Sequence, residues 1–163
     1  MMEDKLQALF FDVLNHAGDE ERTTLEKLLT AIKEKQNGTV RTYLNSAMNY
    51  RGRWVGDNNY EATINLQPFF MNAIGILHGG ITATFADTAM GTMVNERLAE
   101  NLVSVTSEIK LNYLLPITDH EITCQAEIVH SGKSLWVTEG KIFGKSSKPL
   151  AFASGTFYVV PKR

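Results

Sequence analysis

Apolar residues recur every three or four positions over the first fifty residues and alternate with polar ones over much of the rest. That change of period divides the chain. Leu6, Leu9, Phe10, Val13 and Leu14 share one helical face. Gly18 ends this helix, and Asp19 stands where it can cap the next. Leu25, Leu28, Leu29 and Ile32 make a second stripe, stopped by Asn37-Gly38. Val40, Tyr43, Leu44 and Ala47 predict a short third helix. We therefore expect a helical extension over residues 1–48 and a separate domain over 49–163.

The second part opens with a half-buried strand, in which Ala62, Ile64 and Leu66 alternate with Glu61, Thr63 and Asn65. Pro68 ends it. A long helix is predicted from about Gly80 to Leu98. Four strand-like runs follow, at 103–114, 121–130, 134–143 and 150–160, punctuated by Pro116, Ser131-Gly132 and Ser146 to Pro149. One long helix against an antiparallel meander is an α+β layer architecture. On that helix Phe85, Ala86, Ala89, Met90, Met93 and Val94 cover an arc wider than a surface helix needs, so the sheet is expected to curl around it. The opposite stripe holds Thr84, Asp87, Thr88, Gly91 and Asn95. It is small and weakly polar, which suits close approach of another backbone or a ligand.

Composition narrows the classes. The 163 residues are 44% hydrophobic and 21% charged, as in a globular domain. A formal net charge of −2 supplies no basic field for nucleic acid or an acidic membrane. Cys124 is the one cysteine, so no intrachain disulfide forms, and it reads as a small core residue. Neither a signal peptide nor a run long enough to span a bilayer is evident. The expected setting is the cytoplasm.

The candidate chemistry gathers at the start of the long helix. His78-Gly79-Gly80 lets a ligand approach the main chain, and the first N–H groups of a helix lack intrahelical partners. With the helix dipole they form a site for an oxyanion such as that of acyl transfer. Alone, Gly79-Gly80 reads first as a tight turn, and Asp87 first as a carboxylate on a polar face. Asp87 lies eight residues beyond Gly79, a rise of roughly 12 Å along a helix. One chain's Asp87 therefore cannot reach a carbonyl held at its own Gly79. If both act on one substrate, a second chain must complete the site, as a twofold dimer allows.

Asn72, His78-Gly79-Gly80 and Asp87, within NAIGILHGGITATFADTAMG, closely resemble the hotdog-fold thioesterases of the phenylacetate-degradation (PaaI-like) type. Thr106 to Pro116 resembles the strand that follows the helix in that family, and the resemblance runs from about Tyr60 to Tyr158. It implies a hotdog fold, a five-stranded antiparallel sheet wrapped around one central helix, paired into dimers and often tetramers. It implies hydrolysis of a small or medium acyl-CoA, aryl-acyl-CoA included, with no further cofactor. Asp87 would activate water or attack the thioester directly. The Gly79 N–H would polarise the carbonyl from the facing chain, and Asn72 would orient carbonyl or water. Thr106 would help position water, and His78 would brace the loop. Gly80 and Lys133 are the candidate CoA contacts, although Lys133 reads first as a solvated turn residue.

Other classes fare worse. His16, His78, His120 and His130 are scattered without ligand spacing, so no metal site is expected. No Gly-x-Ser-x-Gly occurs. Gly132-Lys133-Ser134 lacks the earlier glycine of a phosphate loop, since Glu127 stands there. A hotdog hydratase would want a histidine on the helix, which has none. The main alternative is a non-catalytic acyl-CoA-sensing regulator behind a DNA-binding helical segment. Residues 1–50 carry six bases and eight acids, however, which opposes phosphate binding. The acyl group is not legible. Phe69, Phe70, Met71, Met90 and Met93 read either as pocket lining or as core.

Overall fold

The computed structural model describes residues Met2 to Lys162. Three helices come first, α1 (Met2–His16), α2 (Asp19–Gln36) and α3 (Tyr43–Ala47). Then follow β1 (Arg51–Trp54), β2 (Asn59–Asn65), a 3-10 turn at Pro68–Phe70, α4 (Gly79–Asn95), β3 (Leu102–Tyr113), β4 (Glu121–Ser131), β5 (Leu135–Phe143) and β6 (Pro149–Pro161). The chain forms two compact units. The smaller comprises the segment up to Ala47 with Gln67–Phe69, and the larger comprises Met48–Leu66 with everything from Phe70 on.

In the smaller unit Arg22 joins α1 to α2, its guanidinium donating to the carbonyls of Leu14 and Ala17. The helix stop falls where the sequence puts it: Asn37 caps α2 and Gly38 takes φ +74, a conformation glycine adopts without strain. The start differs by one residue. Gly18 is the cap and makes no side-chain bond, while Asp19 is the first helical residue, where its charge still favours the dipole. Leu6, Leu9, Leu28, Leu29 and Ile32 remain exposed.

The larger unit is one antiparallel sheet in the order β1-β2-β4-β5-β6-β3, with α4 against it. The sheet therefore has six strands rather than five. The added strand is β1, a four-residue edge paired with β2 from Arg51↔Thr63 to Trp54↔Tyr60. Its sequence, Arg-Gly-Arg-Trp, carries no apolar alternation because neither face is buried. Ion pairs of Arg51 with Glu121 (2.8 Å) and Arg53 with Glu61 (2.6 Å) accompany it instead. Such exposed pairs contribute little stability, about 0–1 kcal/mol each.

The wide apolar arc of α4 is buried as expected. Phe85, Ala86, Ala89, Met90, Met93 and Val94 are all 0% exposed. They meet the inward residues of β2, β4, β5 and β6, among them Tyr60, Ile64, Ile122, Ile142 and Phe157. Large-to-small changes in such a core cost about 2–5 kcal/mol. Met90, Met93 and Phe70 thus belong to the core and not to an open pocket. The helix also ends three residues before its expected limit. Glu96 is its C-cap, and its carboxylate accepts from Trp54 Nε1 (2.8 Å) and the Tyr60 hydroxyl (3.2 Å). Arg97 stacks over Trp54 at 4.0 Å. The C-terminal end of α4 is thereby tied to β1 and β2, and its N-terminal end points to the opposite end of the sheet.

Candidate active site

The N-terminus of α4 is built by its own cap. His78 has φ −61 and ψ 131, extended backbone that turns the chain into the helix. Its Nδ1 accepts from the Gly80 N–H at 3.0 Å, which leaves Nε2 as the ring's N–H donor. Its carbonyl accepts from the N–H groups of Ile81 (2.9 Å) and Thr82 (3.1 Å). Three of the first helical donors are therefore consumed, whereas the Gly79 N–H has none of these acceptors. The double acceptance at the His78 carbonyl polarises the 78–79 peptide, which makes the Gly79 N–H a better donor.

The loop before the helix is shaped by Asn72. Its side-chain oxygen accepts from the N–H groups of Ile74 (3.0 Å) and Ile76 (3.1 Å), a local turn of the kind asparagine favours. Gly75 lies within this turn at φ +74. With Oδ1 committed to the loop, the Asn72 amide offers its NH2 group for any further contact. An isolated bridge between Met71 and Leu77, together with the bond from the Leu77 N–H to the Ile117 carbonyl (2.9 Å), fixes the loop against the segment that follows β3.

Asp87 sits half-buried two turns further along α4. Its Oδ1 accepts from the Thr106 hydroxyl at 2.7 Å. Thr106 stands at the only register shift between β3 and β6, where Thr106 pairs with Phe157 and Glu108 with Thr156. The bulged residue, Ser107, turns its hydroxyl to the Thr156 carbonyl (3.0 Å). Such a bulge re-aims the side chains that follow it, and Thr106, the last residue before it, meets the carboxylate. The rest of the small stripe divides. Gly91 leaves room for Phe157, whose ring would lie 3.1 Å from a Cβ, and Asn95 bonds the Ser104 N–H (2.8 Å). Their size serves the chain's own sheet. Thr84 and Thr88 are partly exposed beside Asp87.

A groove of about 460 Å³ runs beside the helix start. Ile76, Leu77, Tyr113, Leu114, Leu115 and Ile117 make its apolar walls, and Gly79 and Gly80 open into it. These residues, and not the Phe and Met set considered from sequence, form the apolar lining next to the candidate donor. The apolar run Tyr113-Leu114-Leu115 at the end of β3 was the available signal, since all three remain exposed past the strand.

The structure thus joins Asp87 to Thr106, and His78 to Gly80, in direct bonds. It does not bring Lys133 to Gly80 within one chain. Lys133 lies in the β4–β5 turn, beside the β2 entry at Asn58 and the β6 exit at Val159. That is the sheet end at which Arg97 bonds the Asp57 carbonyl, opposite the end that holds Gly79 and Tyr113. Among the described residues no cluster of His, Cys, Asp and Glu is placed to hold a metal ion, and no helix is long and apolar enough to cross a membrane.

Comparison with known proteins gives consistent similarities. Residues 74–151 match the model of the thioesterase superfamily. The 1,4-dihydroxy-2-naphthoyl-CoA hydrolase of Listeria monocytogenes is 32% identical over 97 residues, 60% of this chain and 75% of that enzyme. A Saccharolobus solfataricus protein named as an esterase is 33% identical over 85 residues, which span 52% of this chain and just 56% of that relative. Among solved structures, a Bacillus halodurans protein crystallised with CoA superimposes with a TM-score of 0.83 at 35% identity, covering 92% of this chain and 99% of that one.

Proposed function

From the membership of this chain in the thioesterase superfamily, with its hotdog sheet and helix, we propose that it hydrolyses a small or medium acyl-CoA, aryl-acyl-CoA included, to free acid and CoA. The observation that carries this reading is the Asp87 carboxylate, held through one oxygen by Thr106 on a helix whose first turn presents the Gly79 N–H. Two relatives support the CoA part. One is named a CoA hydrolase of an aromatic acid, and the other was solved with CoA.

In this reading the thioester carbonyl oxygen lies against the Gly79 N–H, which stabilises the negative charge that develops there. Asp87 Oδ2 either takes a proton from the attacking water or attacks the carbonyl carbon itself. By the first route the C–S bond breaks and that proton passes to sulfur as CoA leaves. By the second, CoA leaves as a thiolate that takes a proton from solvent, and water then hydrolyses the acyl-aspartate anhydride to free acid. The Asn72 NH2 group orients the carbonyl or the water. The apolar groove beside Gly79 receives an uncharged arm of the substrate.

The site is shared between two chains. The roughly 12 Å helical rise between Gly79 and Asp87 exceeds the reach of a short side chain. The edge strand β3 offers a place for the second chain. It is 12 residues long and forms an outer edge of the sheet, a length of open backbone that soluble proteins ordinarily cover. Pairing about a twofold axis would set two α4 helices antiparallel and exchange Gly79 and Asp87 between them.

A panel of short, medium, long and aromatic acyl-CoAs, with released thiol as readout, tests the proposal. Hydrolysis well above the spontaneous rate for at least one class is expected. Tight binding of acyl-CoA with no hydrolysis would refute it in favour of an acyl-CoA-sensing domain.

A further inference from the structure

The peptide between Gly79 and Gly80 is gripped at both ends. Its N–H donates to His78 Nδ1 at 3.0 Å, and its carbonyl accepts from the Tyr113 hydroxyl at 2.8 Å. Tyr113 reaches it from the last residue of β3, 34 positions along the chain. Its ring also closes on Gly79: a Cβ there would stand 3.1 Å from the hydroxyl and 3.2 Å from the ring carbon that bears it. A side chain at 79 would therefore press on Tyr113, which would have to give by a few tenths of an ångström.

This contact matters because of what glycine lacks. With no side chain, Gly79 can rotate about both backbone bonds more freely than any other residue, and its N–H is the donor on which the proposed chemistry depends. The His78 carbonyl, fixed by Ile81 and Thr82, sets the peptide on one side of Gly79. Tyr113 and His78 Nδ1 set the peptide on the other. A donor that stabilises a transition state must already point at the oxyanion before charge develops, since reorienting it during the reaction costs barrier height.

We propose that Tyr113 is a positioning residue, whose hydroxyl holds the Gly79–Gly80 peptide so that the Gly79 N–H faces the thioester oxygen in the transition state. This rests on the thioesterase reading above. The hydroxyl acts through Gly79 and does not touch substrate. The ring has a separate part, as one wall of the apolar groove. The two parts make different demands: removing the hydroxyl spares the wall, and removing the ring destroys both.

Tyr113→Phe and Tyr113→Ala, assayed on the best acyl-CoA of the panel, separate them. Tyr113 is 58% exposed, so Tyr113→Phe leaves the core untouched. Its kcat should fall about 10-fold, as for loss of one orienting hydrogen bond, with KM within about twofold of the parent. Tyr113→Ala should lose kcat similarly and raise KM as well. A readout without turnover accompanies them. Amide hydrogen exchange at Gly80, whose N–H is locked to His78, should speed up in Tyr113→Phe while exchange in the α4 interior stays unchanged. A Tyr113→Phe kcat within twofold of the parent overturns the proposal. So does a loss borne by KM alone, or one matched by faster exchange throughout α4. If instead the parent protein hydrolyses no thioester while Gly80 exchange responds as expected, the thioesterase reading is what has failed.

Discussion

The Thr106 hydroxyl donates to Asp87 Oδ1 across 2.7 Å, joining a helix residue to a strand residue 19 positions later. The bond orients the carboxylate and leaves Oδ2 uncommitted. It gives the mutational behaviour of the two residues a definite order. Asp87→Ala should remain folded and lose on the order of 10²–10⁴ in kcat, the range for a missing general base. Thr106→Ala should lose about 10-fold, and Thr106→Ser, which keeps the hydroxyl, should retain most of the parent rate. Steady-state kinetics on purified variants check the order. Near-parental activity in Asp87→Ala would remove Asp87 from the mechanism.

Asn72 carries two tasks on two atoms. Oδ1 holds the amides of Ile74 and Ile76, and the NH2 group takes no part in those two bonds. Asn72→Ala should cost about 10- to 100-fold in kcat, less than Asp87→Ala, through loss of a positioning bond. Asn72→Asp preserves an acceptor for the loop but removes the donor and adds charge near a developing oxyanion. It should be no better than alanine. Recovery of the parent rate in Asn72→Asp would show that the residue serves the loop alone.

A shared site can be tested by complementation. Gly79→Pro deletes the Gly79 donor and sets a Cβ 3.1 Å from the Tyr113 hydroxyl, a contact that Tyr113, 58% exposed, relieves by a small shift. Proline is tolerated at the first position of a helix, and His78 at φ −61, ψ 131 already has the conformation that a residue before proline prefers. Mixing Asp87→Ala with Gly79→Pro chains, after exchange through the monomer, should restore activity, because each hybrid dimer contains one site free of both lesions. Differentially tagged hybrids that form yet stay as inactive as their parents would place both groups in a single chain.

Cys124 gives a prediction about pH. Burial pushes its thiol up from an ordinary value of 9.0 to about 12. Between those values the unfolded chain has lost a proton that the folded chain retains, so base favours unfolding. The contribution of Cys124 is thus fully present below pH 9 and is lost as pH rises towards 12, by roughly 1.4 kcal/mol per pH unit in that window. Denaturant titrations at pH 8 and 10.5 should show the loss, and Cys124→Ala should show a smaller one. Tyr50 and Tyr60, also raised by burial, sustain part of the slope above pH 10. In the native protein at pH 8 the thiol should resist alkylation and become reactive on unfolding. Rapid native-state alkylation would contradict its burial.

The amino-acid sequence determined the local elements and their order, because period 3.6 and period 2 are properties of neighbouring residues. It marked α4 as buried through the breadth of its apolar arc, and it placed His78-Gly79-Gly80 at a helix start and Asp87 two turns on. These are relations along one continuous segment, where helical geometry converts spacing into position. The tertiary structure decided everything that crosses segments. β1 has no apolar alternation to reveal it, since an edge strand with two exposed faces needs none. Thr106 meets Asp87 just before a bulge that shifts the register of β3 by one residue, and a shift of one moves the later side chains to the other face. Tyr113 reaches Gly79 because β3 runs back along α4, and the groove beside them is walled by residues that looked like the trailing end of a strand. Lys133 and Gly80, both read as CoA contacts, fall at opposite ends of the sheet because α4 spans it lengthwise. No spacing in the sequence encodes such distances, which depend on strand register and on the packing of a helix against a curled sheet.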